Sequence, residues 1–322
     1  MRAIVQDRYG PPGVLRLGEE REPVPGAGDV LVKVYAASLN ARDWHTMRGD
    51  PYLARLAFGL RRPRIRIRGT DFAGRVERVG AAVTRFQPGD EVYGEGAGAF
   101  AELVCVPEDL IERKPGKLTF VEAAALPLAA NTALTGLRGL GSGQKVLVNG
   151  ASGGVGTFAV QLARGAGAAV TAVCSARNAD LVRSLGAGEV IDYAQEDFAA
   201  GGRRYDMVLD LVGNRSLADL RGVLAPGGLL VLSGGGVYEG GSLLGPMKLI
   251  IRARLTARSR VVVLEAKPSR ANLAALRELA ESGTLTPVID RTYALEDAAA
   301  AMDHLEREHA RAKIVLTIVD GM

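Results

Sequence analysis

Hydrophobic residues follow two different rhythms along this chain. Over residues 1–40 they alternate with polar ones in short runs, as at Val30, Val32 and Val34, the period of half-buried strands. Met1–Gln6, Val14–Glu19 and Asp29–Ser38 read as strands, and Gly10-Pro11-Pro12-Gly13 and Pro25-Gly26-Ala27-Gly28 mark the turns. Asn40-Ala41-Arg42-Asp43 opens a polar helical piece. Val76–Val79, the run from Pro88 to Val92 and Ala101–Val106 continue a small antiparallel barrel. Beyond Phe120 the texture turns helical, through Asn131–Leu137. Strands and helices then alternate: Lys145–Val148, Ala169–Val173, Ala179–Leu185, Glu189–Ile191, Met207–Asp210, Ser216–Val223 and Leu229–Leu232. That alternation predicts an α/β fold with a doubly wound parallel sheet. Val261–Leu264 is a late strand, and Arg270–Glu281 a helix with Leu273, Leu276, Leu279 and Ala280 on one face. Ala298–Glu308 and Ile314–Val319 add a last helix and strand.

Composition narrows the picture. At 322 residues and 48% hydrophobic, the chain has material for about two domains with real cores. No apolar run is long enough to span a bilayer, and no signal-peptide pattern opens the chain. Its two cysteines, Cys105 and Cys174, lie in strand-like contexts, which argues for a reducing cytoplasm over a disulfide framework. A net charge of +4 and pI 9.1 suit an anionic cofactor and give no case for nucleic acid. Arginine dominates from Arg48 to Arg68. The stretch reads as a solvated amphipathic helix, Tyr52 to Leu60, followed by an exposed loop, or as a basic mouth for an anionic substrate or a membrane surface.

The chemistry concentrates in Lys145–Ala163. A buried-strand run leads without a gap into Gly150-Ala151-Ser152-Gly153-Gly154-Val155-Gly156, after which Val155, Ala159, Leu162 and Ala163 recur at helical spacing. Strand, glycine-rich turn and helix form the setting of a phosphate site, with Ser152, Gly153, Gly154 and Val155 at the helix start. Gly153 lets backbone approach a pyrophosphate and Gly156 lets the helix lie close on the sheet, while Ala151 stands where the first glycine usually does. After the second strand, Cys174-Ser175-Ala176-Arg177-Asn178 offers no carboxylate to hold ribose hydroxyls before Asp180. Ser175 and Arg177 suit a ribose 2′-phosphate instead, which predicts NADPH over NADH; the rival is an Arg177 that only caps a solvated helix start.

Further runs widen the case: Asn40-Ala41-Arg42-Asp43, Gly69-Thr70-Asp71-Phe72-Ala73-Gly74, Gly89-Asp90-Glu91-Val92, Ala124-Ala125-Leu126-Pro127, Leu185-Gly186-Ala187, Val190-Ile191-Asp192-Tyr193 and Pro226-Gly227-Gly228. With the glycine turn, the chain resembles the zinc-free quinone oxidoreductase-like branch of the medium-chain dehydrogenase/reductase superfamily over essentially its full length. The resemblance implies a GroES-like barrel domain over 1–123, an NADPH-binding Rossmann domain over 124–266 and a return to the barrel over 267–322. It implies that Tyr193 closes the 2′-phosphate pocket and that Thr132, Val212, Gly234 and Gly235 line the nicotinamide half. By the same likeness Arg311 and Lys313 reach the cofactor, unless they are surface charges of the last helix-to-strand turn. Asn40 takes the position of a zinc-ligating cysteine and Thr70 that of a histidine, so no functional metal is expected. Asn40 is then expected to face the nicotinamide and donate a hydrogen bond, with His45, Tyr52 or water delivering the proton. The family's paired sheet edges, with the β-rich run at Val261, imply a homodimer.

Without a metal, a quinone or an α,β-unsaturated carbonyl is the expected hydride acceptor, since either delocalises the negative charge it gains. A trans-2-enoyl thioester reductase, or a non-catalytic NADPH-binding or membrane-associated protein, is the alternative.

Overall fold

The computed structural model describes residues 1–233, 243–245, 247–255, 260–307 and 311–319. The chain divides into two units, one of Met1–Asn131, Val237–Leu243 and Lys267–Met322, the other of Thr132–Gly236 and Leu244–Ala266.

The first unit is built on the strand Asp29–Ser38, whose alternating valines point into its core. One edge of this strand is shared: Leu103–Pro107 pairs with residues 29–33 and Lys313–Thr317 with residues 36–38. The other edge carries Asp71–Val79, followed outward by Glu91–Glu95 and Ile111–Arg113. Ile289–Ala294 lies parallel to Lys313–Thr317 and completes this sheet. Trp44, Phe72, Phe100 and Met302 fill the interior with the inward valines. This is the GroES-like barrel. The helix expected over Tyr52–Leu60 does not form; a 3₁₀ turn, Tyr52–Ala54, runs into a four-residue helix, Arg55–Phe58. Gly59, at φ 122°, ends that helix, and Leu56 and Leu60 stay exposed, so no buried stripe holds a longer one in place.

In the second unit, six parallel strands lie in the order Glu189–Asp192, Ala169–Cys174, Lys145–Asn149, Tyr205–Asp210, Leu224–Leu232, Val261–Val263. Numbered along the unit, that order is 3-2-1-4-5-6, the Rossmann arrangement. The strand order reverses between the neighbours Lys145–Asn149 and Tyr205–Asp210, which run parallel, and crevices at such switch points take ligands. Gly227, at φ 79°, turns the chain where the pairing of Leu224–Leu232 shifts register. Cys105 and Cys174 are free thiols. Among the described residues no helix is long and apolar enough to cross a membrane.

Candidate functional site

In the parallel-sheet unit, the glycine turn, Ser175 and Arg177, Tyr193 and Val212 each follow the carboxyl end of a strand. Gly150, at φ 87°, turns the chain out of the first strand. A Cβ at Gly156 would lie 2.2 Å from the Gly150 carbonyl oxygen, so only glycine lets the helix Gly154–Gly165 start this close to the turn. A Cβ at Gly153 would meet nothing nearer than 3.4 Å, leaving room on the side where a ligand approaches. No side chain caps that helix, and its first N–H groups and the helix dipole suit a pyrophosphate. Ala151 is not among the residues at positive φ, so its backbone accepts a methyl at the first glycine position, and that methyl is buried.

Asn178, which sequence reasoning passed over, ties two of these turns together. Its buried side-chain amide donates to Ser152 Oγ at 3.0 Å and to Ser175 Oγ at 3.3 Å. The Tyr193 N–H donates to the Cys174 carbonyl at 3.2 Å, which sets Tyr193 beside Ser175. Ser152, Ser175, Arg177 and Tyr193 therefore belong to one neighbourhood. The Asp180 carboxylate points to solvent and pairs with Arg183 at 3.1 Å. Buried Asp210 ends the fourth strand, accepting from Asn149 Nδ2 at 2.8 Å and from the N–H groups of Val212 and Gly213. That pins the Val212 turn at the same edge. Thr132 sits on the helix Pro127–Gly136, and Gly234 and Gly235 lie outside the described residues.

The barrel unit holds a second, quite different constellation. Asn40 precedes the helix Ala41–Arg48, and its N–H donates to Asp43 Oδ2 at 2.9 Å. Thr70 Oγ1 donates to the other oxygen of Asp43 at 3.0 Å. Asn40 Nδ2 donates to Asp71 Oδ2 at 3.0 Å and lies 3.5 Å from the Ser38 carbonyl. Lys313 Nζ donates to Asn40 Oδ1 at 2.6 Å and to the Leu39 carbonyl at 3.0 Å, and lies 4.0 Å from Asp71 Oδ2. Two expectations fall here. Lys313 is only 2% exposed, hence no surface charge. Asn40 has both amide hydrogens turned inward, so it presents no free donor.

Burial sets the electrostatics of this cluster. It pushes the Asp71 carboxyl up to about 6 and holds Lys313 below the usual ammonium range, the two charges opposing that effect on each other. Glu95, 2% exposed, is pushed up to about 8 by burial and by the neighbouring Asp71. Neither of its oxygens has a hydrogen bond of normal geometry, and Arg42 approaches only to 3.6 Å. Burial and Asp71 thus favour the protonated form of Glu95, against the pull of Arg42, Asn131 and Lys313 toward the carboxylate.

His45 loses its case as a proton donor. Its Nδ1 lies 2.8 Å from the Asp50 carbonyl, which only accepts, so the proton sits on Nδ1 and is spent there. Burial lowers its pKa and keeps the ring neutral. Tyr52 is 45% exposed, with the Arg55 guanidinium 4.6 Å from its ring centre. Arg311 is exposed, and its N–H donates to Asp290 Oδ2 at 3.2 Å.

A GroES-like barrel with a Rossmann unit that carries a dinucleotide turn defines a pyridine-nucleotide oxidoreductase. Residues 26–116 match the family model of the alcohol dehydrogenase GroES-like domain, and residues 185–316 that of the zinc-binding dehydrogenases. The chain is 36% identical to the chloroplastic quinone-oxidoreductase QR1 of Triphysaria versicolor, over 98% of each chain. The structure of the quinone oxidoreductase from Coxiella burnetii superimposes with a TM-score of 0.87 at 33% identity, covering 99% of both chains. The mycobacterial protein Rv1454c, solved in complex with NADPH, gives 0.83 at 28% identity, over 98% of this chain and all of that one. The protein belongs to the zinc-free quinone oxidoreductase-like branch of the medium-chain dehydrogenase/reductase superfamily. Zinc, which the second family model's description implies, does not fit the donors present. An amide, Asn40, and a hydroxyl, Thr70, replace the thiolate and imidazole it needs, and the neighbouring Asp71 carboxylate already faces the Lys313 ammonium.

Proposed function

We propose that the chain is a zinc-independent, NADPH-dependent reductase of quinones or α,β-unsaturated carbonyls. The observation that carries this is Lys313, whose ammonium fills the heart of the Asn40–Asp71 cluster and takes the electrostatic place of a metal. With no Lewis acid to polarise an ordinary ketone, the acceptor must stabilise its own negative charge. NADPH supplies the hydride when bound. The chain's part is to hold it: the glycine turn and the Gly154 helix start take the pyrophosphate, and Ser175, Arg177 and Tyr193 the 2′-phosphate. With Asn40 and His45 committed to internal bonds, Tyr52 or solvent delivers the proton.

NADPH oxidation by purified protein, measured against a quinone, an alkenal, an enoyl thioester and a plain ketone, tests the reading. Turnover is expected with the first two; turnover with the ketone alone, or with nothing, refutes it. Arg177→Ala should weaken NADPH by about 1.5–3 kcal/mol, tenfold or more, and leave NADH nearly unchanged. Equal wild-type dissociation constants for NADPH and NADH would overturn the cofactor choice.

The same reading includes a cytoplasmic homodimer. Val261–Val263 forms an edge of the parallel sheet and leaves Val262 47% exposed, and pairing such edges across a two-fold axis would cover it. Light scattering should return twice the mass of 33.8 kDa at micromolar protein. A Val262→Lys variant should return the single mass, and a wild-type monomer would refute the pairing.

A further inference from the structure

From Pro51 to Thr70 the barrel unit has six arginines and no acid. The same stretch exposes Leu56 (62%), Leu60 (68%) and Ile65 (52%). Backbone bonds draw these together. The Arg64 N–H donates to the Phe58 carbonyl at 2.8 Å, folding residues 64–65 back on the short helix, and the Leu53 N–H donates to Leu243, itself 65% exposed. Four aliphatic side chains thus stand out around one looped segment, where soluble proteins expose such residues singly. Cations are interleaved with them. Arg66 is committed to Asp7 and Glu20, Arg55 to the Gly49 carbonyl, and Arg68 is buried. Arg61 and Arg62 are exposed and, among the described residues, pair with no acid.

We propose that the Leu56–Ile65 loop, with Leu243, is a docking surface for an anionic lipid bilayer. The combination selects this occupant. A second copy brought to the patch by a two-fold axis would set arginines against arginines with no acid between them. A lipid surface answers both features, since headgroups neutralise Arg61, Arg62 and Arg64 while Leu56, Leu60, Ile65 and Leu243 enter the headgroup–acyl boundary. The contact is peripheral and salt-sensitive, each cation contributing about fivefold in partitioning.

Flotation of the full-length protein with phosphatidylcholine vesicles, and with equal parts phosphatidylcholine and phosphatidylglycerol, tests the idea. Binding is expected to the mixed vesicles only, and to be lost at high salt. Arg61→Glu with Arg62→Glu should cut partitioning more than tenfold. Leu56→Ser with Leu60→Ser should cut it severalfold while keeping its salt dependence, and both variants should melt at the wild-type temperature. Free glycerol phosphate matched to the headgroup concentration should leave binding intact. Displacement by it would assign the arginines to a soluble anion and overturn the proposal. So would equal binding to both vesicles, no binding to either, or self-association in light scattering that the leucine variant abolishes.

Discussion

Lys313→Met is expected to cost about 3–5 kcal/mol of folding stability, the usual effect of removing one partner from a buried ion pair. The ammonium is 2% exposed, and it serves the Leu39 carbonyl, Asn40 Oδ1 and the Asp71 carboxylate at once. Methionine matches its length and fills the space, so the loss would be electrostatic. Asp71 would keep its bonds from Asn40 Nδ2 and the Leu128 N–H but face a low-dielectric interior without a counter-charge. A second substitution isolates that term. Lys313→Met combined with Asp71→Asn should recover most of the loss, because replacing both charges removes the unpaired one. Urea unfolding of the four proteins gives the cycle; single losses that simply add would show that the two charges are not coupled.

How far the sequence reveals this architecture depends on how local each signal is. Asp29–Ser38 and Arg270–Glu281 appear with the bounds read from their patterns, because each presents a continuous face to its unit's interior. Ile289–Ala294 escapes notice: no residue of it is fully buried, so no alternation marks it. Tyr52–Leu60 has a helical stripe, but among the described residues nothing covers Leu56 and Leu60, and periodicity alone cannot reveal a missing partner. The cofactor turn is legible because its chemistry is carried by neighbours in the chain. Lys313 is the opposite case. Its meaning rests on Asn40, 273 positions away, and a lysine gives no local sign that it will be buried. Asn178 joins two turns through one side chain, and only its place beside Arg177 hints at that.

The second buried acid of the same cluster, Glu95, leads to an expectation of opposite sign, in which removing a charge stabilises the fold. Glu95 has an ordinary value of 4.5 and is raised to about 8 in the folded protein. Below about 4.5 both states hold the proton and the residue contributes no pH dependence. Between the two values the folded state keeps a proton that the unfolded chain releases, so stability falls as pH rises, by at most about 1.4 kcal/mol per unit. Above about 8 the carboxylate must be buried ionised beside Asp71, offset only in part by Arg42 at 3.6 Å and by Lys313, and the cost stays at its maximum. Asp71, raised to about 6, adds a slope of the same sign at lower pH, so the two carboxyls separate only when Glu95 alone is changed. Glutamine copies the shape of the neutral acid and cannot ionise. Glu95→Gln should therefore change stability little near pH 5 and raise it most at pH 8 and above, flattening the upper part of the profile. Urea midpoints across that range read the difference directly. A variant that is destabilised equally at every pH would mean that the protonated Glu95 makes a contact glutamine cannot replace, and that its charge is not what the fold resists.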